Sequence, residues 1–193
     1  MSRSGPVTKD TSTIALGLAQ IRVGPAAANV ANIQPCLLAA NSIGALANTK
    51  FVGKADWFVL ESGFPLLPDF TTALREGASL ECSFKEFTPA NVAIAYGKDP
   101  AALTLVHSGE LALGGRVAPE YVRMEAVYTY PNGVNFMHII FPRAQVSASM
   151  ELDMKVEDAA AAPIVFEAKR ADSEVTGGNA VWDNKPLGRI AWS

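Results

Sequence analysis

The residues of this chain that come nearest to a catalytic group are His107, Ser108 and Glu110. Serine hydrolases bring a serine, a histidine and an acid into mutual contact, so this trio invites comparison with a catalytic triad. However, the segment from Leu103 to Leu113 has the apolar pattern of a strand, and adjacent strand residues point to opposite faces. His107 and Ser108 are therefore predicted not to meet, and we expect no triad.

A second pair with possible chemistry is Glu151 and Asp153, which would share a strand face as the two carboxylates of a glycosidase do. No aromatic residue accompanies them on that face. The chain has only 2 histidines, and His138 lies inside an apolar strand pattern. Neither metal-ligand spacings nor a phosphate-binding glycine loop is present. The sequence thus predicts no enzyme activity, no cofactor and no metal.

Length and composition indicate one folded domain over residues 1–193. Hydrophobic residues make up 49% of the chain and charged residues 18%, the reverse of a disordered chain. No run approaches the ~20 apolar residues of a membrane helix, so we expect no membrane insertion. The polar N-terminus does not resemble a secretory signal. Cys36 and Cys82 are expected to be free thiols, with a disulfide as the less favoured alternative.

The apolar pattern predicts seven or eight strands and one short helix. Thr88-Pro89 suits a helix start and Gly97 a helix end, so the helix is predicted over about 88–97. Asn132-Gly133 between two apolar runs predicts a hairpin with a type I′ turn, and Pro142 is expected to end its second strand. Sequential strands without alternating helices favour a mainly β fold, an antiparallel β-sandwich or barrel.

The segment 145–157 alternates polar and apolar residues without a break. A single strand of this length would span ~40 Å, far more than an ordinary strand. Residues 145–158 contain four acids and one base, a net charge of −3. The rest of the chain holds 15 acids and 15 bases, so this segment carries the whole net charge of −3. Either a solvated outer strand or a surface built to be negative fits this pattern.

The order of these features resembles the major tail tube proteins of long-tailed bacteriophages, whose fold is shared with the tube proteins of injection machines. The segments that carry the resemblance are Ser42-Ile-Gly-Ala-Leu46, Phe51-Val-Gly53, Glu61-Ser-Gly-Phe-Pro65 before Asp69, Glu76-Gly-Ala-Ser-Leu-Glu81, Phe84-Lys-Glu-Phe87 before the helix, Asn132-Gly133, the alternating segment and Gly188-Arg-Ile190.

This resemblance implies a β-sandwich-like subunit flanked by one helix. Six copies would form a ring, and rings would stack into a tube that conducts double-stranded DNA without binding it specifically. Tape measure, terminator and distal tail proteins would be further partners. The protein would be made in the host cytoplasm and reside in the virion tail.

Three segments are predicted to act as inter-subunit arms: the N-terminal arm 1–12, the long loop 24–50 and the C-terminal arm 172–193. The loop 62–69 is expected to contact a neighbouring subunit as well. Large apolar residues in such connecting segments suit an obligate assembly, because a monomer would expose them. The candidate inter-subunit residues are Phe64, Leu66, Leu67, Leu37, Leu38, Trp182 and Trp192.

The lumen of such a tube is predicted to be mildly acidic, because cations would grip the phosphates of passing DNA. The polar face of the alternating segment is the first choice, and the polar face of the strand at 78–85 is the second. An exterior position of the first face is the alternative. The lumen candidates are Gln145, Ser147, Ser149, Glu151, Asp153, Lys155, Glu157, Glu81 and Lys85.

Two other classes of protein remain open from the sequence. One is a different β-rich virion protein, such as a capsid decoration or tail terminator subunit. The other is a ligand-binding β-sandwich or a hydrolase, which would need a convergent cluster of polar and aromatic residues that the sequence does not reveal.

Overall fold

The computed structural model of the chain describes residues 17, 19–98, 110–111, 113–114, 118–147, 151 and 160–193. Seven strands of this part form one antiparallel sheet, accompanied by two short helices, so the predicted mainly β fold is confirmed. The elements are β1 (Gln20–Pro25), α1 (Ala26–Asn29), β2 (Leu46–Ser62), β3 (Leu67–Phe84), α2 (Pro89–Ala95), β4 (Val122–Thr129), β5 (Phe136–Val146), β6 (Ala162–Ala168) and β7 (Arg189–Trp192).

The sheet has the strand order β1-β4-β5-β6-β3-β2, and β7 pairs with β5 outside this path. One edge of β5 therefore serves two partners, β7 along Met137–Ile140 and β6 along Ala144–Val146. Between these stretches, Pro142 and Arg143 together oppose Arg123 of β4, which is a β-bulge. Bulges bend strands and accommodate proline. Pro142 thus bends β5 and does not end it, contrary to the prediction.

The bent sheet encloses the larger of two apolar clusters that the described residues form, and strands from both ends of the sheet contribute to it. In β3 the residues Leu80, Cys82 and Phe84 are buried, while the residues between them are half-buried, so the predicted alternation is confirmed. Burial raises the pKa of the Cys82 thiol to about 12. The other strands supply Ile21, Val23, Val122, Met124, Ala126, Ile139, Phe141, Ile164 and Phe166.

Helix α2 begins and ends where the sequence predicts. The Thr88 hydroxyl oxygen accepts the backbone N–H of Asn91 at 3.2 Å, and Pro89 occupies the first helical position. Gly97 follows the helix with φ +79°, a conformation that glycine adopts without strain. Ile94 is buried against the core, so this short helix covers one end of the sheet.

The β4–β5 hairpin forms at Asn132-Gly133, but its turn is not the predicted type I′. That turn needs a positive φ at both central residues, and Gly133 has one (+68°) whereas Asn132 does not. The Gly133 N–H instead donates to the Tyr130 carbonyl at 2.9 Å. The Asn132 side-chain oxygen accepts the N–H groups of Val134 and Asn135. A longer loop, held by an asparagine side chain, therefore replaces the tight turn.

The long loop predicted as an arm packs on the outer face of its own sheet. Two charged residues of β4 hold it there: Arg123 Nε lies 2.7 Å from Glu125 Oε1, and both side chains are fully buried. The Arg123 guanidinium also donates to the carbonyls of Asn29, Asn32 and Gln34. The Glu125 carboxylate accepts the backbone N–H groups of Cys36 and Leu37, slightly further along the same loop.

The C-terminal segment is likewise part of the domain. Its Trp182 is fully buried in a small second core with Val30, Ile140 and Ala171. The Trp182 indole N–H donates to the Val30 carbonyl at 2.6 Å. Strand β7 then adds this segment to the sheet through β5. Both predicted arms, 24–50 and 172–193, thus contribute to the packing of this chain, while the arm 1–12 lies outside the described residues.

The predicted long strand over 145–157 is confirmed at Gln145 and Val146, the last residues of β5, and is wrong at Ser147 and Glu151. β5 ends at Val146, and Ser147 and Glu151 belong to no strand. Residues 148–150 and 152–159 lie outside the described part of the chain. Most of the strand predicted at 103–113 also lies outside it, and Glu110, Leu111 and Leu113 are not in a strand. The long strands of this protein are β2 and β3.

Candidate interaction surface

Strands β2 and β3 form a hairpin that extends well beyond the body of the protein. They contain 17 and 18 residues. Among the described residues, β3 pairs with β6 only from Ser79 to Phe84, so only the base of the hairpin belongs to the body. Every residue from 53 to 76 is exposed. We call residues 53–76 the distal ribbon; ten residues of extended strand give it a length of ~30 Å.

The sequence explains why this segment is a hairpin. Its strands are rich in aromatic and β-branched residues, which favour extended backbone. Gly63 at the turn has φ +84°, a value that suits glycine. The pairing is antiparallel throughout, with the register shifting by one residue at Leu74 and again at Asp69. Such bulges increase the local twist of a two-stranded ribbon.

Cross-strand pairing assigns the side chains of the distal ribbon to two faces, because paired residues share a face and successive residues alternate. The face continuous with the buried Leu80 and its partner Phe51 is called the core-side face. It carries Trp57 opposite Ala73 and Val59 opposite Thr71. The opposite face is called the outer face, and its members are Phe58 opposite Thr72, Leu60 opposite Phe70, and Ser62 opposite Leu67.

Apolar side chains dominate both faces of the distal ribbon from Trp57 to Leu74, the part that we call its far half. Nine large ones are more than 40% exposed, and Phe64 at the tip is completely exposed at 102%. Monomeric proteins seldom expose so large a contiguous apolar patch, which marks an interaction site. Covering one such side chain is worth about 1.5–3 kcal/mol. The nine residues are Trp57, Phe58, Val59, Leu60, Phe64, Leu66, Leu67, Phe70 and Leu74.

The structure divides the predicted inter-subunit residues into two groups. Phe64, Leu66 and Leu67 lie at or beside the tip of the distal ribbon and are exposed, as are Leu38 and Trp192 elsewhere on the surface. Leu37 and Trp182, in contrast, are buried within the chain, at 6% and 0% exposure. These two predictions are therefore wrong, because a buried side chain offers nothing to a neighbouring subunit.

Sequence reasoning missed the most extensive part of this surface, the run Trp57-Phe-Val-Leu60. Such a run is typical of a strand that is covered on both faces. In the folded chain, however, Trp57 and Phe58 are 61% and 48% exposed. The run itself was the signal that both faces of this strand need a cover.

Two apolar hollows lie beside the base of the hairpin. One, of about 170 Å³, is lined by Ala19, Phe51, Met137 and their neighbours. The other, of about 200 Å³, is lined by Ala78, Leu187 and neighbouring residues. Phe51 and Ile139 line both hollows, so the two lie side by side, and we refer to them together as the apolar groove. The core-side face of the distal ribbon continues directly from this groove, because Phe51 and Trp57 share that face.

The lumen candidates are only partly described. Gln145 is half-buried, and its amide donates to the Pro119 carbonyl at 2.7 Å. Ser147 and Glu151 are exposed, whereas Ser149, Asp153, Lys155 and Glu157 lie outside the described residues. Glu81 forms a surface ion pair with Lys50 at 3.3 Å. Lys85 is exposed at the end of β3.

The residues considered for catalysis do not gather into a site in the described part of the chain. His107, Ser108 and Asp153 lie outside it, and Glu110 is exposed. The His138 Nε2 atom lies 3.1 Å from the Ser193 hydroxyl oxygen. Both cysteines are free thiols, as expected. The described residues contain no cluster of three or more side chains suited to a metal ion. No helix among them is long and apolar enough to cross a membrane.

No family model matches this chain, and no curated protein matches it either. Fold and surface together define its class: an antiparallel β protein of one bent sheet from which an apolar two-stranded ribbon projects.

Proposed function

We propose that this chain is the structural subunit of a phage tail tube, in which hexameric rings stack and enclose a lumen that conducts DNA. The observation that carries the proposal is the distal ribbon, which extends from a folded body with nine exposed large apolar side chains. A ribbon of two strands is at best marginally stable in water on its own. Contacts with other molecules would complete its fold, as in an obligate assembly.

A second copy of the same chain is the partner that this surface fits best. The chain carries an apolar projection and, beside its base, an apolar groove lined by Phe51 and Ile139. Interfaces between different surfaces of identical subunits generate rings or filaments. One chain with both kinds of surface therefore has the elements of a repeating assembly.

The free edge of β2 supports the same interpretation. β2 is the last strand of the sheet path, so among the described residues it pairs only with β3. An edge of 17 residues exposes a row of unpaired N–H and C=O groups, which proteins normally cover. In a ring, the sheet of a neighbouring subunit would cover this edge, and closure of the ring would leave no free edge.

The resemblance to tail tube proteins suggests the function of this assembly, which is to conduct DNA through its lumen. The lumen would carry the polar side of residues 145–157, of which Ser147 and Glu151 are exposed. Its negative charge would keep DNA phosphates from binding tightly. Tape measure, terminator and distal tail proteins would be the other partners in the virion.

Electron microscopy of the purified full chain, with light scattering, tests this proposal. We expect rings or tubes from the wild type and dispersed, folded subunits from the double variant Phe64→Asp, Leu67→Asp. Val134→Asp is the matched control, because Val134 is also an exposed apolar turn residue (72%) but lies off the ribbon. Shells or caps would favour another virion protein, and monomers at all concentrations would favour a ligand-binding β-sandwich. Either result would overturn the proposal.

A further inference from the structure

The two faces of the distal ribbon differ near its base but not near its tip. Beside the body, the outer face carries three charged residues, Lys54, Asp56 and Arg75, whereas the core-side face carries one, Glu76. From Trp57 onward, the core-side face carries Trp57 and Val59, and the outer face carries more large apolar residues: Phe58, Leu60, Phe70 and Leu67. A ribbon that lies flat on one partner keeps a polar face toward water. In the far half of this ribbon both faces carry large apolar residues, and the charged residues Glu61 and Asp69 lie beside the tip, so neither face is polar along its whole length.

Each face alone is too small for a stable contact. Specific interfaces bury about 800 Å² on each partner, whereas a whole aromatic side chain offers only about 150–250 Å². The outer face holds Phe58 and Phe70, each about half exposed, together with Leu60 and Leu67. The core-side face holds one large aromatic residue, Trp57. Covering one face would therefore bury about half of the available apolar area and leave the rest in water.

We propose that the far half of the distal ribbon inserts between two other copies of this chain, so that its two faces contact different copies. This inference rests on the proposed function, from which it takes the identity of the partner. The copy that covers Trp57 and Val59 also reaches the apolar groove, since the core-side face runs into it through Phe51. The copy that covers Phe58 and Leu60 is separated from the first by the ribbon itself.

The charged residues define where the insertion stops. Asp56 and Arg75 are cross-strand partners at the level where the apolar pairs begin. Both are exposed. Burying them would cost desolvation free energy, and the weak attraction between two such charges does not offset that cost. The inserted part therefore starts at Trp57 and Ala73, and the base of the ribbon remains in solvent. Glu61 and Asp69, which are charged and exposed beside the tip, must keep contact with solvent for the same reason, so the covered stretch lies between these two charged levels.

Photo-crosslinking from adjacent positions tests the inference directly. Benzoylphenylalanine is placed at Trp57 or at Phe58, which are neighbours in sequence but lie on opposite faces. In the assembled full chain, both positions should crosslink to another copy, and peptide mapping should find two different acceptor segments. Lys54→benzoylphenylalanine, at the base, is the control and should crosslink at least fivefold less. The inference is overturned if both positions reach the same acceptor segment, or if either reaches only its own chain.

Charge substitutions on one face at a time provide a second test. Trp57→Lys with Val59→Lys alters only the core-side face, and Phe58→Lys with Leu60→Lys alters only the outer face. Each pair should reduce the assembled fraction at least tenfold while circular dichroism stays unchanged. Normal assembly of either pair would show that one face needs no cover.

The outcomes separate this inference from the proposed function. Assemblies that are not tubes, but show two acceptor segments, would overturn the proposed function and support the inference. Tubes with crosslinks from one face only would overturn the inference and leave the proposed function standing. A wild-type protein that is monomeric at every concentration would overturn both.

Discussion

Leu60 of β2 lies directly opposite Phe70 of β3, and both side chains are about half exposed, at 47% and 58%. A cross-strand pair of this kind stabilises a hairpin by roughly 0.2–1 kcal/mol. Much of its apolar surface still remains in water. Burying the pair against another molecule would therefore contribute more free energy than the pair contributes to the stability of its own chain.

Replacing Phe70 with Asp should therefore separate folding from assembly. The free energy of unfolding should change by no more than about 1 kcal/mol, because only the cross-strand contact is lost. Sedimentation velocity should show loss of the assembled species. Val134→Asp, at an exposed apolar residue off the ribbon, is the control and should assemble like the wild type. A stability loss above about 3 kcal/mol would show that Phe70 belongs to the core.

The buried pair of Arg123 and Glu125 should be essential to the fold. Removing one partner of a buried ion pair typically costs about 3–5 kcal/mol, because the other charge is left without compensation. Glu125→Gln should lower the free energy of unfolding by about this amount in urea titrations. The half-exposed pair of Lys169 and Glu167 provides the control: Glu167→Gln should cost less than about 1 kcal/mol. Equal losses in the two variants would contradict this role.

The two tryptophans of the C-terminal segment should behave differently. Trp182 is fully buried, whereas Trp192 is 67% exposed and donates its indole N–H to the Tyr130 hydroxyl at 3.2 Å. Trp182→Ala should cost about 3–5 kcal/mol through loss of buried area and formation of a cavity. Trp192→Ala should cost about 1 kcal/mol or less. Urea unfolding followed by circular dichroism distinguishes them, and similar values would contradict the burial of Trp182.

Acid should weaken the fold through His138. Burial lowers the pKa of His138 from its usual 6.5, and the nearby Arg22 and Arg189 lower it further, while Glu125 raises it. A lowered pKa means that the unfolded chain binds the proton more readily, so this contribution is complete above pH 6.5 and is lost as the pH falls through the folded pKa. His138→Gln should lose less stability between pH 8 and pH 5 than the wild type, measured by urea unfolding. Parallel pH profiles would exclude this contribution.

Local signals allowed some elements to be predicted from the sequence. Helix α2 follows from Thr88-Pro89 and Gly97, whose conformational preferences act within one turn of chain. The alternation along β3 likewise indicated which side chains are buried, since one of its faces meets the core. Both features depend on residues close together in sequence.

Burial by distant segments could not be predicted in the same way. Trp182 lies in a polar stretch, and the residues that bury it, Val30, Ile140 and Ala171, come from three other places in the chain. A run such as Trp57 to Leu60 is typical of a strand covered on both faces. Sequence pattern alone does not reveal whether that cover comes from the same chain or from another. The distal ribbon was therefore missed as a surface, although its tip was predicted to contact a neighbour.

The attachment of the distal ribbon to the body has a consequence for how the protein can change. In the part of the chain that the structure describes, the ribbon joins the body only at its base and its two strands pair only with each other, so its length can vary without disturbing the core. Removing one residue from each strand would exchange the two faces, because side chains alternate. Removing two from each strand would keep the faces and shorten the reach by about 6.6 Å. The reach of the ribbon can thus change in steps of two residue pairs while each face keeps its side chains.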